Sequence, residues 1–295
     1  MKKKYIIFPI IAILILLGFI ADNGYKKAEE KDITKVSSKI NSLKPLNFNK
    51  KIDINNVKVV AHRALGFGGV ENSLEAIQNS INNKVGRAEI DVQETKDGVV
   101  VLLHDRNLKR LTGLNKYVDQ VTYKQIEKLN LAATSPGNGI ERIPTLDSVI
   151  KASYGKQNLI IEIKPNGNIK DLTKNVVNII DKDNFVDQCK VHSLNYDILL
   201  YVKRLNPHIQ TGYIVSQPTR NLSSLKVDFY SIQKNIVNKK LVDDIHSNNK
   251  EIYAWSVDRP DEIDNMLKLN VDGIISDKPQ LLLNMRNEKK PQIAQ

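Results

Sequence analysis

The stretch EIDVQETKDGVVVLLHD, residues 89–105, decides how this chain is read. Glu89, Ile90, Asp91 and Val92 alternate acid with apolar, the pattern of a strand carrying both carboxylates on one face. Residues 99–103 form a second candidate strand, rich in branched apolar side chains. Asp97-Gly98 between them is a strong hairpin signal, because a two-residue type I′ turn needs φ > 0 at both central positions. A connection this short forces the second strand to run antiparallel. On a two-residue turn Lys96 faces Val99 and, stepping outward, Asp91 faces His104, with Cβ atoms about 4.5–5.5 Å apart. The expectation is an imidazole folded beside two carboxylates. It depends on that register, since a one-residue slip turns His104 to the other face.

Outward from the hairpin, short apolar runs alternate with helical patterns. Candidate strands cover 58–61, 88–92, 159–163, 189–192, 212–215, 229–232, 252–256 and 273–276, and candidate helices 74–81, 172–180, 196–205, 239–246 and 261–269. Asn72 with Glu75 three residues later reads as a capping box for the first helix. Pro260 followed by two acids marks another helix start. Eight such strands predict a closed (β/α)₈ TIM barrel, with the hairpin strand 99–103 added and residues 105–157 inserted; an open doubly wound sheet is the alternative. No internal repeat is present.

The 295 residues, 41% of them apolar, suffice for one large core; an α/β barrel alone takes ~250. The lone Cys189 excludes an internal disulfide and a cysteine-based zinc site. Lys2, Lys3 and Lys4 precede an apolar run over 5–21, a helix of roughly 25 Å. No small-x-small cleavage site follows it, so residues 1–22 read as an uncleaved transmembrane signal-anchor helix, with a cleaved signal as the rival. The lysine cluster stays inside, which places the rest of the chain outside a cell membrane that it spans once. Residues 23–55 read as a polar tether and 56–290 as the barrel domain. Residues 1–50 hold ten Lys/Arg against four Asp/Glu, about half of the net charge of +11. The remaining mild excess suits anionic surfaces such as phospholipid or phosphate-rich polymers. No basic stripe with interleaved aromatics points to nucleic acid, and no signal of oligomeric state is read.

Polar residues crowd the C-terminal strand ends, where a barrel builds its active site. His62-Arg63 end the first strand, with Glu71 and Asn72 soon after. Glu89 and Asp91 lie on the second and Glu162 and Lys164 on the third, and Trp255 lies near Asp258. Three carboxylates from neighbouring strands suit a hard divalent cation, Ca²⁺ or Mg²⁺. Two histidines suit a general acid and base, and Arg63 with Lys164 suit a phosphate. Each piece alone has a plainer reading: Glu-x-Asp as a solvated strand face, His104 as a loop histidine, Glu-x-Lys as an ion pair, Trp255 and His192 as packed core. His208 and His246 take no role. The coincidence of so many at ends of one polarity carries the argument.

Together, VVAHRALGFGGVENSLEAI (59–77), EIDVQETKDGVVVLLHDRNLKRLTG (89–113), IPTL (143–146), IIEIKP (160–165), YAWSVD (253–258) and DGIISD (272–277) resemble the glycerophosphodiester phosphodiesterase family, in that family's order and across 57–283. The resemblance implies a barrel related to the phosphatidylinositol phospholipases, with one divalent cation at its mouth. By motif position, His62 and His104 match the catalytic pair, and Glu89, Asp91 and Glu162 match the metal ligands. Arg63, Glu71 and Lys164 match further substrate-binding positions, with Trp255 lining the pocket. Ala64 stands where the family usually has glycine, a departure that touches the substrate-facing loop. The implied reaction is hydrolysis of a glycerophosphodiester to glycerol 3-phosphate and an alcohol. The same site would serve a D-like phospholipase or a hydrolase of teichoic-acid glycerophosphate polymer. A non-catalytic, metal-dependent binding module is the reading from another class, and it needs no second proton-transfer group.

Overall fold

The structure, a computed structural model, describes residues 54–134, 139–219 and 221–288. The first half runs β1 (Lys58–Ala61), α1 (Leu74–Asn82), β2 (Arg87–Glu94), β3 (Val100–Leu102), α2 (Lys109–Thr112), α3 (Tyr123–Ile126), α4 (Leu146–Ser153), β4 (Asn158–Ile163) and α5 (Ile169–Lys182). The second half runs β5 (Cys189–Ser193), α6 (Tyr196–Leu205), β6 (Gln210–Val215), β7 (Phe229–Gln233), α7 (Lys239–His246), β8 (Glu251–Trp255), α8 (Pro260–Leu269), β9 (Gly273–Ser276) and α9 (Pro279–Glu288). Every expected strand is present within two residues of its sequence bounds. All strands but β3 pair in parallel, in the order β1-β9-β8-β7-β6-β5-β4-β2. Val60 and Ala61 of β1 then pair with Arg87 and Ala88 of β2 and close the ring. Closure decides for the TIM barrel over the open sheet.

Period-two alternation divides the apolar residues between two cores. Val60, Ile160, Phe229, Tyr253 and Ile275 fill the barrel interior, while neighbours such as Ile161, Ile232 and Ile274 face the surrounding helices. Phe229 and Tyr253 meet edge-on, with ring centroids 5.5 Å apart. Their rings lie where Cβ atoms would stand at Gly212 and Gly273, so the two glycines exist to admit them. At the strand starts, Glu251 receives Lys58 and Lys190 as ion pairs and the Tyr253 hydroxyl at 2.9 Å.

The hairpin departs from its expected register. Val92 pairs with Leu102, Gln93 with Val101 and Glu94 with Val100. Its loop has three residues, Lys96-Asp97-Gly98, with Gly98 left-handed at φ 82° and a Thr95–Val99 backbone bond of 3.0 Å beneath it. Such loops combine a type I turn with a bulge. Thr95 selects this form: its hydroxyl donates to Asp97 Oδ1 at 2.7 Å and accepts from the Val99 amide at 3.1 Å. Asp91 therefore stands opposite Leu103, whose amide donates to the Asp91 carbonyl at 3.1 Å, and the expected pairing of Asp91 with His104 does not form. The first helix also starts differently. Ser73, not Asn72, caps α1, accepting from the Ala76 amide at 3.0 Å.

The insertion builds a satellite core in which Leu108, Leu111, Val118, Ile126 and Ile143 pack on Val101 and Leu103 of the hairpin. The expected anchor, 1–22, lies outside the described residues, as does the tether up to residue 53. Among the described residues no helix is long and apolar enough to cross a membrane.

Candidate active site

Seven of the nine expected site residues line one cavity of about 200 Å³ at the C-terminal mouth of the barrel: His62, Arg63, Glu89, His104, Glu162, Lys164 and Trp255. Glu71 and Asp91 stand just behind them, bonded to Arg63 and Lys164.

His62 follows β1 directly, and its Nδ1 lies 2.7 Å from Oδ1 of Asp277, the residue after β9. Burial works against a charged ring there. The Asp277 hydrogen bond and the Glu89 charge outweigh it, and the imidazole pKa is held above its ordinary value. His104 has the same arrangement, with Nδ1 2.7 Å from Oδ1 of Asp105. Both rings commit Nδ1 to an aspartate, so each presents Nε2 to the cavity.

His104 reaches the mouth from a turn beyond β3, and Gln93 fixes that turn. The Gln93 side-chain amide donates to the carbonyls of Leu103, His104 and Asp105 at 2.8, 3.2 and 2.8 Å. Its own oxygen accepts from Asn166 at 3.1 Å. Arg110 of α2 joins two parts of the site. It ion-pairs with Asp105 and donates to both oxygens of Glu71, at 2.6 and 2.9 Å. Glu71 also accepts from Arg63 at 3.0 Å. Burial raises the Glu71 proton affinity, but the two guanidiniums override it and hold the pKa low. Arg63 and Ala64 both adopt left-handed backbone, φ 51° and 60°. Ala64 thus holds a left-handed conformation that glycine would adopt without strain.

Glu89, Asp91 and Glu162 are buried, and Asp91 ↔ Glu162 are register partners on adjacent strands. Lys164 Nζ lies between these two, 2.8 Å from Asp91 and 2.9 Å from Glu162. Asp91 also accepts from Asn72 at 2.8 Å, and Glu89 accepts from the Arg63 amide at 3.0 Å. Burial pushes the Glu162 carboxyl pKa up despite Lys164, whereas Lys164, His104 and Arg63 overcome burial at Asp91 and hold it low. Three carboxylates facing two fixed cations leave negative charge to spare. Glu89, Glu162 and His192 bring ligand atoms within 4.8 Å of one another, and His192 Nε2 is buried without a hydrogen-bond partner among the described residues. That donor set fits a divalent cation.

The sequence model of the glycerophosphoryl diester phosphodiesterase family matches residues 62–281. The chain belongs to this family. Within it, the chain is 32% identical over 238 residues to the glycerophosphodiester phosphodiesterase of Caldanaerobacter subterraneus subsp. tengcongensis, covering 77% of this chain and 96% of that one. It is 28% identical to the enzyme of Bacillus altitudinis, covering 79% and 99%. An Oleispira antarctica phosphodiesterase, solved in complex with the product sn-glycerol-3-phosphate, superposes with a TM-score of 0.71 at 26% identity, covering 78% and 96%. A Silicibacter pomeroyi structure with the same TM-score, at 22% identity and covering 78% and 94%, shares the fold. The expected enzyme class, a glycerophosphodiester phosphodiesterase, stands on this membership.

Sequence reasoning missed Asp277, Gln93 and Arg110; it placed His192 at a strand end where it could line the mouth but favoured packed core, and the structure puts it in the cavity. Two of the three missed residues had signals. Asp277 ends a strand at the same polarity as His62, and Gln93 continues the Glu89, Asp91 alternation by one more step. Arg110, on an inserted helix, had none.

Proposed function

We propose that the chain hydrolyses small glycerophosphodiesters to glycerol 3-phosphate and an alcohol, with its barrel on the outer side of a membrane. The observation that carries this is the pair of aspartate-backed histidines, His62 and His104, in one cavity with Arg63 and Lys164. One imidazole Nε2 takes the proton of the nucleophile, water or the diester's own hydroxyl, and the other protonates the departing alcohol. Arg63 and Lys164 offset the charge that gathers on the phosphoryl oxygens. Glu71 keeps Arg63 aimed, and Trp255 borders the glycerol end. Glu89, Asp91 and Glu162 would hold the divalent cation; oxygen ligands alone suit Ca²⁺ or Mg²⁺. When bound, the cation supplies positive charge to a phosphate oxygen and acidifies a hydroxyl. Residues 1–22 serve as membrane anchor and 23–55 as tether to the barrel domain, 56–290.

Leu194, 43% exposed, lines the same cavity with Ile214 and Ile275. That apolar wall favours a second reading, a D-like cleavage of lysophospholipids, over cleavage of a glycerophosphate polymer.

The test is glycerol 3-phosphate release from glycerophosphocholine, glycerophosphoethanolamine and glycerophosphoglycerol, with chelated and cation-loaded arms. Release that needs cation and falls about 10²–10⁴-fold in His62→Ala and His104→Ala is the expected result. Release unchanged in either variant would sink the acid–base assignment. Choline release from lysophosphatidylcholine alone would move the conclusion to the second reading.

A further inference from the structure

His192 on β5 faces the mouth cavity with one ring nitrogen outside any hydrogen bond. It is 3% exposed, and its Nε2 has no hydrogen-bond partner among the described residues. A buried polar nitrogen left without a bond is costly, so the position calls for a partner. The ring is held in place by its neighbours. Nδ1 lies 3.0 Å from Ser231 Oγ, and the Phe229 ring stacks along one face at 6.2 Å. Ser231 is itself buried, and its carbonyl accepts from the Trp255 indole at 3.0 Å. In the tautomer that donates Nδ1–H to Ser231, Nε2 carries the lone pair, 3.5 Å from Glu89 Oε1 and within ligand distance of Glu162. A second ring nitrogen fixed by a hydrogen bond is the usual mark of a metal-ligating imidazole.

Asp91, the third carboxylate that the sequence nominates, is differently placed. Its oxygens are already bonded to Asn72 and Lys164. Glu89, Glu162 and His192 are the group whose ligand atoms gather.

We infer that His192 is a nitrogen ligand of the cation site, and that it gives this chain a preference for a first-row transition dication, Zn²⁺ or Co²⁺, over Ca²⁺. Ca²⁺ takes oxygen ligands almost exclusively, whereas imidazole nitrogen suits the later first-row dications. The inference rests on the cation dependence proposed above and adds to it the ligand that sets selectivity. The Ser231 hydroxyl positions the ligand and does not touch the ion.

Zinc is diamagnetic, and the chain has five histidines, so the ligand can be read directly. The full-length protein is labelled with ¹⁵N-histidine, stripped of metal and titrated with Zn²⁺ and, separately, Ca²⁺. The His192 Nε2 resonance is assigned by its loss in His192→Gln. Zn²⁺ is expected to shift that resonance in stoichiometric proportion while Nδ1 keeps its proton, and Ca²⁺ to leave the nitrogen unbound. By calorimetry, Zn²⁺ and Co²⁺ affinity should fall at least about tenfold in His192→Gln and in Ser231→Ala, with Ca²⁺ affinity changed less than about threefold. An unshifted His192 resonance at saturating Zn²⁺ overturns the inference, as does equal loss of Ca²⁺ and Zn²⁺ affinity. If neither ion binds the wild-type protein, the cation dependence fails first and this inference falls with it.

Discussion

Nδ1 of His62 lies 2.7 Å from Oδ1 of Asp277, although 215 residues separate them in sequence. The contact spans the seam where β9 pairs with β1, so the barrel's pairing of first and last strand itself assembles one half of the proposed acid–base pair. It opposes burial and raises the His62 pKa. Asp277→Asn removes that support, so the limb of the pH–rate profile that belongs to His62 should move toward acid. The direction is the same whether His62 acts as base or acid, because in both roles its titration moves down. A profile of kcat/KM from pH 5 to 9 that does not move would show that Asp277 has no hold on the ring.

Gln93 holds three successive carbonyls around His104. Gln93→Leu keeps the bulk and loses those bonds. A misplacement of about 1 Å can cost on the order of 10²-fold in rate, so kcat should fall about ten- to a hundredfold with KM little changed. A lowered unfolding midpoint with full kcat would make Gln93 purely structural.

The glycines that admit Phe229 and Tyr253 set a packing limit. A methyl at Gly212 overlaps the Phe229 ring, and overpacking of this kind costs about 1–3 kcal/mol. Gly212→Ala should therefore lower the urea midpoint. Gly86→Ala, where the added carbon meets open space, is the control expected to unfold near wild type.

Glu251 carries a prediction about acid. Burial raises its proton affinity, but bonds from Lys190 and Lys58 prevail and hold its pKa down at about 2. A carboxylate depressed below its unfolded value of about 4.3 stabilises fully above that pH and loses its contribution as pH falls through the folded value. The stability gap between wild type and Glu251→Gln should thus be widest near neutrality and narrow from about pH 4.5 downward. Its size is modest, about 1 kcal/mol per pair at most, because the pairs are partly solvated. A gap that widens in acid would reverse the assignment.

The strands were legible because the barrel buries them on both faces, which leaves continuous branched apolar runs bounded by polar residues. The hairpin register was not. Asp-Gly serves a two-residue turn and a three-residue bulged loop alike, and only the Thr95 hydroxyl, bonded within the loop, separates them. His104 reaches the mouth for a reason the pattern did not contain, a glutamine side chain holding a turn. Asn72 carried the signature of a helix cap, but its amide is spent on Asp91, and Ser73 caps in its place. His192 read as core from sequence because burial and ligation put the same residue in the same spot. Only its unpaired nitrogen tells them apart.

The aromatic packing of Phe229 and Tyr253 closes the barrel axis beneath the site. The chamber therefore opens at the mouth and does not run through the barrel. Substrate and both products thus share the route through the mouth.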